Sequence, residues 1–262
     1  MSSLYRNLRW VATLALLMIT LPGCGKDSPT EPGGTTVTSS DADDAASLVG
    51  MSMARGLIGD PAMLGVPGGG VAAPTNAAAE TTIVTPFVTW TLSRSFYNAF
   101  GLVQPAYDPM TTVRMTGSAR GVGTIRTTTD TVTFGSTSSL EVSGLSILQD
   151  TLVSDGTRRD TLLASFQSPL HDVHMHRSML GAMTWSAVRY LKPVNSHPWP
   201  LSGTATWTLS VDRLRTSDRT DVERHYDCTV VVVFDGTRNA SLTVDRIHRY
   251  TLDLLDGHLL RR

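Results

Sequence analysis

Cysteine and lysine are nearly absent from this chain of 262 residues. There are 2 cysteines, Cys24 and Cys228, too few for the disulfide framework of a small secreted scaffold. Stability therefore has to come from a buried core. Lysine occurs only at Lys26 and Lys192. The other basic residues are arginines, a pattern of genomic composition and not of phosphate chemistry. The formal net charge is −1, with no basic stripe, so no nucleic-acid partner is expected. The apolar stretch from Trp10 to Leu21 stops well short of the ~20 residues that a membrane-spanning helix needs.

Catalytic signatures are missing as well. The chain has no Gly-x-Ser-x-Gly elbow and no Ser-x-x-Lys pair, so serine-hydrolase chemistry has no anchor. Gly68-Gly69-Gly70 is followed by no Lys-Ser/Thr pair and preceded by no strand, so it is not a phosphate loop. Paired carboxylates for glycoside hydrolysis need no local motif. Acids are sparse in residues 81–262, however, and mostly fall at apparent turns, as Asp130, Asp155, Asp235 and Asp256 do.

What is present begins with the N-terminus. Arg6 and Arg9 precede the apolar stretch Trp10 to Leu21, which closes on Leu21-Pro22-Gly23-Cys24. A positive segment, a short apolar segment and a small-residue site form a signal peptide. The tetrapeptide resembles the lipobox of a bacterial lipoprotein precursor, with Pro22 a less common filler. The resemblance implies cleavage before Cys24 and a diacylglycerol on its sulfur. It also implies a partner, the membrane, and a place in the bacterial cell envelope. Gly25 follows the cysteine and no Asp stands there, which by the rule for enteric bacteria implies the outer membrane. One acyl chain holds a protein only marginally, and several hold it firmly. Removal of residues 1–23 takes away two arginines and no acid, shifting the charge from −1 to −3. Cys228 is then the one free cysteine, and an internal disulfide is excluded.

Composition divides the rest. Residues 24–40 are rich in Gly, Pro, Ser and Thr and read as a flexible tether. Residues 41–59 read as a short docked helix. Ser40 or Asp41 would cap it, Asp43 and Asp44 suit its first turn, and Leu48, Met51, Met53 and Leu57 give an imperfect apolar face. Residues 60–80 form a second linker, rich in Gly, Pro and Ala. Residues 81–262 alternate β-branched or aromatic residues with polar ones, as in Val88 to Leu92, Thr204 to Val211 and Arg249 to Leu255. That period marks half-buried antiparallel strands. Asp155-Gly156, Asp235-Gly236 and Asp256-Gly257 suit tight hairpin turns. The fold class is mainly β: an antiparallel meander of roughly ten strands forming a barrel, half-barrel or sandwich. A faint repeat, Asp155-Gly156-Thr157-Arg158 against Asp235-Gly236-Thr237-Arg238, reads equally as a duplicated meander or as chance similarity.

Three groups of residues are candidates for chemistry. His171, Asp172, His174 and His176 form the one dense polar cluster. On a strand, Asp172, His174 and His176 share a face, with Val173 and Met175 turned to the core. Two such ligands with a third from His197 or His225 would hold zinc; otherwise they are solvated residues of an edge strand. Cys228 would share a face with Tyr226, Val230, Val232 and Phe234, away from His225 and Asp227, as a buried structural thiol. Trp199, between Pro198 and Pro200, either plugs one end of the core or stacks on a ligand. The resulting expectation is a lipid-anchored envelope protein with a non-catalytic β domain that binds or builds. Its sharper variants are a half-barrel carrier of a lipid or acyl chain, and a metal-binding domain.

Overall fold

The alternating residues pair into one wide antiparallel sheet. In the computed structural model, the structure describes residues 36–53, 80–84, 88–126, 130–167, 173–192, 194, 199–217 and 222–262. The strands are β1 (Thr81–Val84), β2 (Val88–Asn98), β3 (Val103–Gln104), β4 (Thr112–Arg126), β5 (Asp130–Ser143) and β6 (Thr151–Gln167). They continue with β7 (Val173–Leu191), β8 (Ser202–Ser217), β9 (Val222–Phe234), β10 (Asn239–Val244), β11 (His248–Asp253) and β12 (Leu259–Arg261). Each pairs with its sequence neighbour, except that β2 also pairs with β4, and β3 lies against β2. The result is a 12-stranded meander, and its terminal strands β1 and β12 do not pair to close a barrel.

One face of this sheet carries the core. Leu92, Ala119, Ser138, Arg158, Met183, Trp207, Val230 and Val244 form one cross-strand row. Most of these side chains are buried, in a single cluster that runs from Leu92 of β2 to Leu252 of β11. A sheet this wide curls as it twists, and its inner face is the buried one. Bulky residues sit beside bare ones. A Cβ on Gly121 would lie 2.5 Å from the Trp90 ring, and one on Gly156 would lie 2.2 Å from the Trp185 ring. Those two indoles therefore lie flat on neighbouring backbone.

The helix α1 (Ser39–Ser52) lies across β9 to β12. Its cap is Thr38, two or three residues before the Ser40 or Asp41 that the sequence suggests. The Thr38 hydroxyl accepts the Asp41 N–H at 3.2 Å, and the Asp41 carboxylate accepts the Thr38 N–H at 3.0 Å. This reciprocal capping box satisfies two otherwise orphaned donors. The buried face consists of Ala42, Ala45, Ala46, Val49 and Met53, with Leu48 beside them. Small alanines let the helix approach the sheet closely; Gly50 leaves room for the Gly257 carbonyl, 2.7 Å from where a Cβ would be. Leu57 lies outside the described residues.

Two turn assignments hold and one is corrected. Gly236 and Gly257 have φ of 86° and 76° in the turns after β9 and β11. Asp155-Gly156 instead lies within β6, at a bulge opposite β7. Gly156 is there to seat Trp185, and the Asp155 carboxylate accepts the Ala187 N–H at 2.8 Å. Asp130 opens β5. The two Asp-Gly-Thr-Arg segments thus occupy unlike places, one mid-strand and one at a turn, so the faint repeat has no structural counterpart there.

Candidate functional site

The histidine cluster falls at the start of β7, and His171 and Asp172 lie outside the described residues. His174 and His176 are on the outer face of the sheet, as the strand reading requires, with His176 exposed. Pairing sets Thr131, Ser165, His176, Leu214 and Glu223 in one row across five strands. The next row is Thr133, Leu163, Ser178, Asp212 and His225. These two rows, except for His225 at the end of the second, line an open depression of about 330 Å³. Hydroxyls dominate its β5–β6 side, and the His176 imidazole and the Asp212 and Glu223 carboxylates its β7–β9 side. Leu163, 60% exposed, stands between them.

The polar side has a definite order. The Ser178 hydroxyl donates to Asp212 Oδ2 at 3.1 Å, and Asp212 Oδ1 lies 2.6 Å from His225 Nδ1. His225 Nε2 lies 3.3 Å from Asp227 Oδ2. The Asp212 and Asp227 carboxylates raise the pKa of His225, Asp212 most strongly. In return the His225 contact holds Asp212 below the usual carboxylate range, and the Ser210 hydroxyl followed by His225 does the same for Asp227. Nucleophilic serine catalysis needs the imidazole between serine and acid. Here the acid stands between serine and imidazole, and both imidazole nitrogens face carboxylates. Ser178 is not activated.

Among the described residues, no group of three His, Cys, Asp or Glu side chains gathers to hold a metal ion. His225, offered as a third ligand, is instead committed to Asp212 and Asp227, while His197 lies outside the described residues. Cys228 is buried and free, and burial pushes its thiol up to about 12. Its strand face holds Tyr226, Val230, Val232 and Phe234, all buried, while His225 and Asp227 point outward. The thiol therefore has no base beside it. Trp199 is partly buried and packs against the core.

A second polar centre lies on the inner face, where α1 meets the sheet. Arg177 Nη2 reaches Asp44 Oδ1 at 2.5 Å, and the Tyr226 hydroxyl donates to Asp44 Oδ2 at 2.6 Å. Arg224 Nη2 reaches Asp41 Oδ2 at 2.5 Å, and the Tyr250 hydroxyl donates to Asp43 at 2.7 Å. Burial would raise the Asp41 carboxyl, but the Arg224 guanidinium and the Thr38 cap outweigh it and hold it low. Burial, reinforced by Asp44, pushes the Tyr226 hydroxyl far up. The sequence suited Asp43 and Asp44 to the first helical turn, but the helix starts at Ser39, so Asp41 is the acid of that turn and Asp43 and Asp44 follow it. Their partners on β7, β9 and β11 carry no local signal, because they stand more than a hundred positions away.

Charges also sit inside the curl. Arg94 of β2 is 8% exposed, and burial lowers its pKa. On β6, Arg158 Nε meets Asp160 Oδ1 at 2.7 Å with both side chains largely buried. Period-two counting from Leu92 places Arg94 on the inner face, a signal present in the sequence but masked by the assumption that arginine faces water. Compared with protein-family models, curated proteins and solved structures, the chain matches none of them.

Proposed function

We propose that this chain is a bacterial cell-envelope protein, held at the outer membrane by lipid on Cys24, whose β domain acts by binding and not by catalysis. The observation that carries the non-catalytic reading is the order Ser178–Asp212–His225–Asp227, in which neither imidazole nitrogen is free to take a proton from the serine. Cys228, the other nucleophile considered, is buried with its thiol pushed up to about 12. The outer-face depression offers hydroxyls, carboxylates and an exposed leucine. That surface suits hydrogen bonding to a polar ligand with one apolar edge. The inner face beside β9–β12 is already filled by α1, which takes the space an acyl chain would need there. This favours a binding module over a lipid carrier.

The test has two arms. Expressed in a bacterial host with labelled fatty acid, the full chain is expected in the membrane fraction carrying label, and Cys24→Ala is expected unlabelled. A membrane-bound, unlabelled wild type would overturn the anchor. For the domain, Ser178→Ala and His225→Gln are expected to leave any hydrolytic rate on ester and amide substrates at background. A rate that both variants abolish would overturn the binding reading.

A further inference from the structure

Three arginines stand side by side on the inner face, on three neighbouring strands. Arg213 of β8 is directly opposite Arg177 of β7 on one side and Arg224 of β9 on the other. Like charges placed opposite one another destabilise a sheet. Two of the three are compensated from α1, where Asp44 meets Arg177 and Asp41 meets Arg224. Arg213, in the middle and half-buried, has no acidic partner among the described residues.

The surroundings supply no further acid. On these three strands the next inner-face row toward the core is Met179, Val211 and Tyr226, and the next toward the strand ends is Met175, Arg215 and Val222. Asp212 and Glu223 alternate with this face and line the outer depression. Asp43 of α1 is turned to Tyr250 and Arg261. Arg215 is exposed and likewise unpaired among the described residues. Four guanidiniums against two carboxylates leave two positive charges uncompensated. Arg177 adds a second sign. Its Nε is buried without a hydrogen-bond partner, although Asp44 takes its Nη2. A buried donor left without an acceptor costs stability.

We infer that this arginine row binds a phosphate group, with Arg213 and Arg215 as its principal contacts. The guanidinium fork matches phosphate oxygens through paired, charge-assisted hydrogen bonds. A phosphate monoester carries about −1.5 to −2 charges near neutral pH, so it answers two surplus charges better than a single carboxylate does. Asp41 and Asp44 hold Arg224 and Arg177 in position, so little ordering is left to be done on binding. The row lies on the opposite face from the depression around Ser178 and Asp212, and it needs no lipid on Cys24. A soluble phosphate and a lipid phosphomonoester offer it the same oxygens.

The full chain carrying Cys24→Ala, which removes any lipid at that residue, tests this in two arms. In the first, thermal unfolding is compared in chloride and in inorganic phosphate at equal ionic strength. Phosphate is expected to raise the melting temperature. Arg213→Gln is expected to lose the rise and to bind phosphate about 10-fold more weakly, as one charge-assisted contact goes. In chloride, Arg213→Gln is expected to melt no lower than its parent, because a like-charged neighbour has been removed. Should it melt lower, Arg215→Gln, at an exposed position, takes its place. Arg120→Gln, exposed on the outer face, is the control and is expected to keep the full rise. The second arm is flotation with vesicles of phosphatidylcholine, alone or with phosphatidic acid. Binding to the phosphatidic acid vesicles that Arg213→Gln abolishes, with no response to inorganic phosphate, assigns the row to a lipid headgroup. A response to inorganic phosphate without vesicle binding assigns it to a soluble phosphate, and responses in both arms, each lost in Arg213→Gln, assign it to the phosphate group from either source. No response in either arm overturns the site. So does any response that Arg213→Gln and Arg120→Gln change alike.

Discussion

Arg177 of β7 and Asp44 of α1 meet at 2.5 Å across 133 positions of sequence. Both side chains are largely buried, at 12% and 5% exposure, and Asp44 also accepts the Tyr226 hydroxyl. This pair, with Asp41–Arg224 beside it, fixes where the N-terminal helix seats on the sheet. A buried pair is a device of position more than of stability, but removing one partner leaves the other uncompensated.

Asp44→Ala is therefore expected to destabilise the domain by about 3–5 kcal/mol, because it strands the Arg177 charge. Asp43 is half exposed with its partner Arg261, at 45% and 48%. Asp43→Ala is expected to cost about 1–2 kcal/mol, a surface pair plus the Tyr250 hydrogen bond. Urea unfolding followed by tryptophan fluorescence measures both. Equal losses would mean that burial does not set the strength of the latch.

Gly156 is held bare by Trp185 on one side and by the Ser139 carbonyl on the other. A Cβ would lie 2.2 Å from the ring and 2.6 Å from that oxygen. Gly156→Ala is expected to destabilise by about 1–3 kcal/mol, the range for an overpacked core. Gly101 has open space around it but a φ of 77°, so Gly101→Ala costs backbone strain and no clash. A Trp185 near-UV dichroism band unchanged by Gly156→Ala would contradict the contact.

Cys228 is expected to resist thiol reagents in the native protein and to react at once in urea. Its folded thiol is pushed up to about 12, so almost no thiolate exists near neutral pH. Cys228→Ala is expected to cost about 1–2 kcal/mol, a buried atom the size of a methylene with its cavity. Rapid labelling of the folded chain would place the thiol at the surface.

His225 is expected to titrate above its ordinary 6.5 because Asp212 and Asp227 favour the charged ring. A group raised on folding adds stability that is full below its unfolded value and is lost as pH rises through its folded value. Asp212→Asn is expected to bring the midpoint down. Imidazole proton shifts followed across pH by NMR measure this; a midpoint at or below 6.5 in the wild type would contradict the pairing. The ring is exposed, so the effect on global stability is small.

The strand pattern was legible because one face of each strand is buried and the other wet. Tyr226, Cys228, Val230, Val232 and Phe234 alternate with exposed or half-exposed neighbours, and that period is local. Part of the helix face was legible, since Leu48 and Met53 are buried as read, but its acids were not: Asp41, and neither Asp43 nor Asp44, stands in the first turn. Ala42, Ala45 and Ala46 are buried by close approach, and alanine reads as neutral in any pattern. The Asp155-Gly156 turn failed for a physical reason: glycine serves equally a positive φ and a flat aromatic neighbour, and Trp185 lies 29 positions on. The face shared by His174 and His176 followed from strand period alone. Their cross-strand neighbours Asp212 and Glu223 did not, since register depends on the bulges in β6 and β7.

The intact mass of the full chain isolated from bacterial membranes tests the account most directly. The expected chain begins at Cys24 and carries the added mass of a diacylglycerol with a further acyl group, and the Cys24→Ala chain lacks it. A native chain of bare peptide mass, or one whose N-terminus lies away from Cys24, would contradict the lipid anchor.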